Sequence, residues 1–266
     1  MKLSIITVNL NNVEGLRKTA ESIVSQTFQD FEWIVIDGGS TDGSKELIER
    51  YSDHIAYWCS EKDSGIYNAM NKGVRYAKGE YVQFLNSGDY LVNSDALSSV
   101  FKETISGDII YGNLQITDGE KVIENRKYDN RLSFLFLLKY SIGHPSSFIL
   151  RELLLNDPYD ESYKIAADKV FFVKMALAGK RFVHSDCYVS CFNTLGISAK
   201  QISIVNEEER RIKRTIVPDS INHDFSRGRY EELMGLKERH PLYSKIITAS
   251  ILFMNWIERH SNKYGK

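Results

Sequence analysis

Cysteine is scarce in this 266-residue chain, with only Cys59, Cys187 and Cys191. Cys187 and Cys191 lie close together in a segment of strand character with no matching second pair, which argues against a zinc site. So sparse and odd a count fits a reducing compartment. Long apolar runs are missing too. No stretch approaches the roughly 18 residues of a membrane-spanning helix. The opening MKLSIITVNL puts one lysine before an apolar strand and has no small-residue cleavage site, so it reads as mature structure and not as a signal peptide. Net charge is nearly absent, with a formal value of −1. No global field points to nucleic acid, which is not an expected partner; a local basic patch is left open. Neither G-x-G-x-x-G nor a Walker loop follows the first two strands, which removes the common dinucleotide and P-loop signatures.

What remains is an ordinary globular balance, 42% hydrophobic and 26% charged, enough for one large domain or two modest ones. Leu3 to Val8 is a continuous apolar run of the kind buried on both faces of a sheet. It ends at Asn9-Leu10-Asn11-Asn12, with Asn12 placed to cap a helix whose inner stripe is Leu16, Ala20, Ile23 and Val24. Phe31 to Ile36 is a second buried strand. It runs into Asp37-Gly38-Gly39-Ser40-Thr41-Asp42-Gly43-Ser44. A short helix with Leu47, Ile48 and Tyr51 follows, then a strand over Ile55 to Cys59. Strand, polar turn and helix in repetition predict a parallel sheet with right-handed crossovers. In such a sheet Asn9, Asp37 and the region of Asp63 emerge at one edge, where open α/β sheets bind ligands. Asp37 and Asp42 are equally suited to capping turns and helices.

Ser60 to Gly73 (SEKDSGIYNAMNKG) introduces a helix expected to be capped by Ser64 and ended by Gly79. Asp63, Asn68, Asn71 and Lys72 fall near its start. The strand Tyr81 to Leu85 then delivers Asn86-Ser87-Gly88-Asp89 to the same edge. These are ordinary turn residues, so the segment fits either a surface turn or a metal or diphosphate site.

Four segments together, SIITVNLNN with SIVSQTF, FEWIVIDGGSTDGS, SEKDSGIYNAMNKG and AKGEYVQFLNSGDYL, closely resemble family-two inverting glycosyltransferases, in the family's order and over about residues 3–91. The resemblance implies a GT-A-type, Rossmann-like three-layer α/β domain with a central mixed, mostly parallel sheet. It implies transfer of a sugar from a nucleoside-diphosphate sugar, UDP before other nucleotides, to the hydroxyl of a glycan or lipid-linked acceptor, with inversion. Asn9, Asp37, Asp63, Asn71, Lys72 and Asn86 would then line the nucleotide-sugar. The family's Asp-x-Asp metal motif is thinned here to Asn86-Ser87-Gly88-Asp89. Asp89 would be the one protein carboxylate for Mn²⁺ or Mg²⁺, with substrate diphosphate and water completing the shell.

In the second half, Asp95 onward reads as a short helix after a Ser94 cap. Asp108 to Thr117 reads as a strand, Asp118-Gly119 as a hairpin turn and Leu132 to Leu138 as a helix. By the same resemblance His144, in a His-Pro step, borders the acceptor or the donor phosphates. Asp168, at the start of a helix ended by Gly179, is the catalytic base. A plain N-cap also suits Asp168. Asn193 to Ser198 looks like the family's Gly-x-Ser loop over the active site. The charge run Glu207 to Arg214 fits the solvated face of a helix. The segment 241–260 combines apolar residues with flanking basic ones. It fits a peripheral contact with the inner face of the cytoplasmic membrane, or a helix packed on the domain or on a second subunit. The expected organisation is a domain over 1–200, divided into 1–91 and 92–200, and a helical extension over 201–266. The location is expected to be cytoplasmic, and the oligomeric state is left open. Two alternatives to a transferase are a non-catalytic nucleotide-sugar-binding subunit and a sugar-nucleotide pyrophosphorylase. The latter lacks its glycine-rich, arginine-containing loop here.

Overall fold

The computed structural model describes residues 1–102, 105–119, 121–194 and 202–216. The chain divides into two compact units, Met1–Arg211 and Ile212–Lys266. The expectations for 241–260 and for most of the Asn193–Ser198 loop lie outside the described residues. Among the described residues no helix is long and apolar enough to cross a membrane.

The first unit opens with four parallel strands, β1 (Leu3–Asn9), β2 (Phe31–Asp37), β3 (Tyr57–Ser60) and β4 (Tyr81–Phe84), linked by helices α1 (Val13–Val24), α2 (Ser44–Arg50) and α3 (Ile66–Tyr76). The continuous apolar runs do become the centre of the sheet. Every residue of β1 and β4 is buried, as are six of the seven in β2. Each fully buried Ile, Leu or Val there contributes about 2 kcal/mol of hydrophobic stabilisation. Asn12 caps α1 as its position suggests, accepting from the Gly15 N–H at 3.2 Å.

The βα alternation then breaks. β5 (Tyr90–Leu91), α4 (Ala96–Phe101), β6 (Ile109–Thr117), β7 (Val122–Arg126), α5 (Phe134–Lys139), β8 (Ser147–Leu150), α6 (Arg151–Asn156), α7 (Ala167–Leu177), β9 (Phe182–Asn193) and α8 (Ile202–Thr215) complete the described chain. The sheet order is β3-β2-β1-β4-β8-β6-β9-β5, with β7 paired to β6. β8 enters antiparallel between β4 and β6, whereas β6 and β9 run parallel over a long register. The result is a mixed, mostly parallel sheet, as the resemblance implies.

Ser94 does not cap α4, whose N-cap residue is Asp95, and two expectations around α3 fail for identifiable reasons. Ser64 does not cap α3. The N-cap residue is Gly65, and the side chain of Asp63 takes the Gly65 N–H at 3.0 Å. Gly79 does not form a left-handed helix end, because α3 has already stopped at Tyr76. Its role is close approach. A Cβ there would stand 2.5 Å from the backbone of Leu3 and Ser4.

Candidate active site

The carboxyl ends of the first strands meet as the topology requires. Asn9 pairs in register with Asp37, and Asp37 with Ser60. Asp37 is fully buried and heavily bonded. Its Oδ1 accepts from Asn9 Nδ2 at 2.8 Å and Ser40 Oγ at 2.6 Å. Its Oδ2 accepts from Ser40 N at 2.9 Å, Gly39 N at 3.2 Å and Ser60 Oγ at 2.6 Å. Burial pushes this carboxyl up, but the bonds from Ser40, Ser60 and Asn9 outweigh burial and hold it below its ordinary value. Asp42 ties the same loop to α1, accepting from Val13 N at 2.8 Å and from Ser44 Oγ at 2.6 Å. The turns after β1 and β2 are thereby locked to each other.

Asp63 follows β3 and is half-buried. A Cβ on Gly38 would lie 2.8 Å from its Oδ2, so the Asp37 loop and Asp63 share one wall. Lys72 pairs with Glu61 at 2.6 Å. Asn71 is a clamp between segments. It donates from Nδ2 to the Tyr159 carbonyl at 2.9 Å and accepts the Tyr159 N–H at 3.0 Å. Its amide is directed at the chain following α6.

The turn after β4 supplies the second group. Thr19 of α1 pins it. The threonine hydroxyl donates to the Asp89 carbonyl at 2.6 Å and accepts the Gly88 N–H at 3.0 Å. Gly88 has φ +102°, a left-handed conformation that a side chain would strain. Ser87 N donates to the Val8 carbonyl at 3.1 Å, which sets Asn86 and Ser87 beside the end of β1. Asp89 is buried, and its Oδ1 accepts one N–H, from Asn193 at 3.0 Å. Burial pushes its carboxyl up to about 7 against that one bond. Among the described residues, the amide oxygens of Asn9 and Asn86 are buried without a hydrogen-bond partner. An underbonded carboxylate and orphaned amide oxygens are hard oxygen donors of the kind Mg²⁺ or Mn²⁺ accepts. No group of three or more His, Cys, Asp or Glu that could hold a metal occurs among the described residues. The residues therefore fit a cation that draws most of its ligands from outside the protein.

The third group gathers around Asp168. This residue lies in the first turn of α7, one place past the start, and the N-cap residue is Ala166. Asp168 does not cap its own helix. Its Oδ1 accepts from Tyr67 OH of α3 at 3.0 Å, and its Oδ2 lies 3.9 Å from His144 Nδ1, too far for a hydrogen bond. Tyr67 OH also reaches the Ile165 carbonyl. His144 Nε2 shares a 2.8 Å hydrogen bond with Tyr159 OH, and its ring lies 5.0 Å from that of Phe84, the last residue of β4. Burial pushes the imidazole below its ordinary value despite the Asp168 charge, which favours the uncharged form. Asp168 retains 23% side-chain exposure, enough to meet a substrate. The contacts through Phe84 place it at the carboxyl end of β4, the end from which the Asn86–Asp89 turn departs.

Motif reading expected Asn9, Asp37, Asp63, Asn86 and Asp89 at one sheet edge, and the resemblance made Asp168 the base and set His144 beside acceptor or phosphates; their place at the end of β4 comes from the structure. Motif reading missed Thr19, Tyr67 and Tyr159. Tyr67 stands inside a recognised segment, but its partner lies about a hundred residues on, and no local signal announces the pairing.

The sequence profile of glycosyl transferase family 2 matches residues 4–167. The chain belongs to this family. As a family-2 glycosyltransferase it is 30% identical over 239 residues to an uncharacterized glycosyltransferase of Mycobacterium tuberculosis, covering 85% of this chain and 90% of that one. Its fold is shared with S. aureus TarS residues 1–349. The TM-score is 0.62 at 19% identity, over 85% of this chain and 69% of that one. TarS has also been solved in complex with UDP-GlcNAc. The mannosyltransferase PcManGT of Pyrobaculum calidifontis, solved with GDP-Man and Mn²⁺, matches with a TM-score of 0.55 at 18% identity, over 73% of this chain and 57% of that one.

Proposed function

We propose that this glycosyltransferase is inverting. It moves a sugar from a UDP-sugar to an acceptor hydroxyl in polysaccharide or lipid-linked oligosaccharide assembly, with Asp168 as base. The observation that carries the reading is the setting of Asp168. It is a part-exposed carboxylate at the sheet's ligand edge, held by Tyr67 and flanked by the buried His144. An acceptor hydroxyl is a poor nucleophile at neutral pH. A carboxylate that takes its proton as the hydroxyl attacks accelerates the step by about 10²–10⁴-fold. One displacement with the base opposite the leaving diphosphate inverts the anomeric carbon. An uncharged imidazole places no positive charge beside Asp168 that would weaken it as a proton acceptor, and Tyr67 OH holds one of its two oxygens.

The nucleotide lies along the carboxyl ends of β1 to β3. There Asp37 shapes the wall that Asn9 and Asp63 present to base and ribose, and Lys72 stands near the diphosphate. Asp89 with Asn86 would hold Mn²⁺ or Mg²⁺, which when bound neutralises charge on the departing diphosphate. The likeness in fold to TarS and PcManGT, whose solved complexes hold UDP-GlcNAc and GDP-Man, supports a nucleotide-sugar donor.

A melting-temperature panel with UDP, GDP, dTDP and CMP, each with Mn²⁺ and with chelator, tests the donor side. A nucleotide at 100 times its Kd stabilises by about 2.7 kcal/mol. Asp168→Asn tests the chemistry. It should keep the nucleotide-dependent shift and lose about 10²-fold or more in rate. An unaltered rate would exclude Asp168 as base.

A further inference from the structure

α8 carries the charge run Glu207 to Arg214, which suggests a solvated face, yet Glu208 is buried at 7% exposure. Its carboxylate accepts three consecutive backbone N–H groups: Lys164 at 2.6 Å, Ile165 at 3.0 Å and Ala166 at 2.9 Å. These are the residues that lead into α7, whose N-cap Ala166 has no side-chain acceptor of its own. Glu208 thus holds, from another helix, the segment leading into α7, up to two residues before Asp168. The contacts on either side repeat the pattern. Glu209 pairs with Lys169, the neighbour of Asp168, at 2.7 Å. The guanidinium of Arg211 lies 4.0 Å from the centre of the Tyr163 ring. From α3, Tyr67 OH reaches both the Ile165 carbonyl and Asp168. The segment bearing the carboxylate is gripped between α3 and α8.

We infer that Glu208 is a positioning residue for Asp168, so that α8 belongs to the catalytic apparatus and the rate depends on its being seated. The inference rests on the reading of Asp168 as base. A carboxylate bonded to three successive N–H groups fixes the direction in which α7 starts, and the direction of α7 aims the Asp168 side chain. Catalytic geometry is steep in distance, and a displacement near 1 Å costs about 10²-fold in rate.

The test uses the full chain with Glu208→Ala, Glu208→Gln and Asp168→Asn. Two readouts are needed: UDP release from UDP-GlcNAc, UDP-glucose and UDP-galactose with water as the acceptor of the sugar, and hydrogen exchange of the peptide spanning 163–170. Glu208→Ala should speed exchange in that peptide and lower kcat by about 10²-fold, with KM for donor and the UDP-induced melting shift unchanged. Glu208→Gln, which keeps one acceptor oxygen and folds more readily, should recover part of the rate. Faster exchange with an unaltered kcat would overturn the positioning role, and unaltered exchange would overturn the clamp itself. If Asp168→Asn keeps the wild-type rate, the base reading falls and this inference with it. If only Asp168→Asn is impaired, the inference alone falls. A wild-type protein that releases UDP from none of the three sugars would remove both.

Discussion

Asp37 and Asp89 are both buried carboxylates at the same sheet edge, one at the end of β2 and one in the turn after β4, yet their surroundings are opposite. Asp37 accepts five hydrogen bonds from its own loop and from Asn9 and Ser60, and it is held below the ordinary carboxylate value. Asp89 accepts one and is pushed up to about 7. A charge satisfied by its own fold organises structure. A charge left short of partners is held ready for something from outside. On the proposed function, the same residue type, reached by the same strand-to-turn step, is divided between scaffold and ligand chemistry.

Substitutions should widen that contrast. Asp37→Ala would leave the donors of Asn9, Ser40 and Ser60 without their shared acceptor, and about 4 kcal/mol of stability should be lost, read by urea unfolding. A loss near zero would mean that water replaces the carboxylate freely.

Asp89 should behave in the reverse sense. Its folded value lies above its unfolded one, so the folded form binds the proton more tightly across the window from 3.8 to about 7. This group's contribution to stability is therefore greatest below that window and falls as pH rises through it. In chelator and without nucleotide, wild type should lose about 3 kcal/mol relative to Asp89→Asn between pH 5 and pH 8. The variant should also lose any stabilisation by UDP that depends on Mn²⁺. Parallel pH profiles for the two proteins would show that Asp89 is better solvated than its burial indicates.

Lys72 supplies the small end of the scale. It is paired with Glu61 at the rim, and Lys72→Ala should cost less than about 1 kcal/mol of stability. Weaker binding of UDP by that variant, with UMP binding unchanged, would place the ammonium beside the diphosphate.

Much of this was legible in the residues, for physical reasons that also explain where legibility stopped. Continuous apolar runs fixed β1, β2 and β4, and parallel pairing then obliged Asn9 and Asp37 to meet. Asp118-Gly119 announced the β6–β7 hairpin, and Gly119 does take φ +99°. The insertion of β8 between β4 and β6 was hidden, because antiparallel entry across sixty-odd residues leaves no local pattern. Glu208 was hidden more deeply. A glutamate inside a run of charges looks solvated until the backbone it binds is known. Asn71 stands in a recognised motif, and only the structure shows its amide turned toward Tyr159.

The late arrival of β8 bears on how the protein is made. Domains fold from the N-terminus as they emerge from the ribosome. β1 to β4 can assemble once residue 84 is free, but one edge of β4 has no partner until Ser147–Leu150 appear. During that interval Tyr81–Phe84, apolar but for Gln83, offers an unpaired strand edge to any neighbouring nascent chain. Synthesis that pauses between these two points should yield aggregates seeded at β4, and co-translational chaperone occupancy should be highest over the same span.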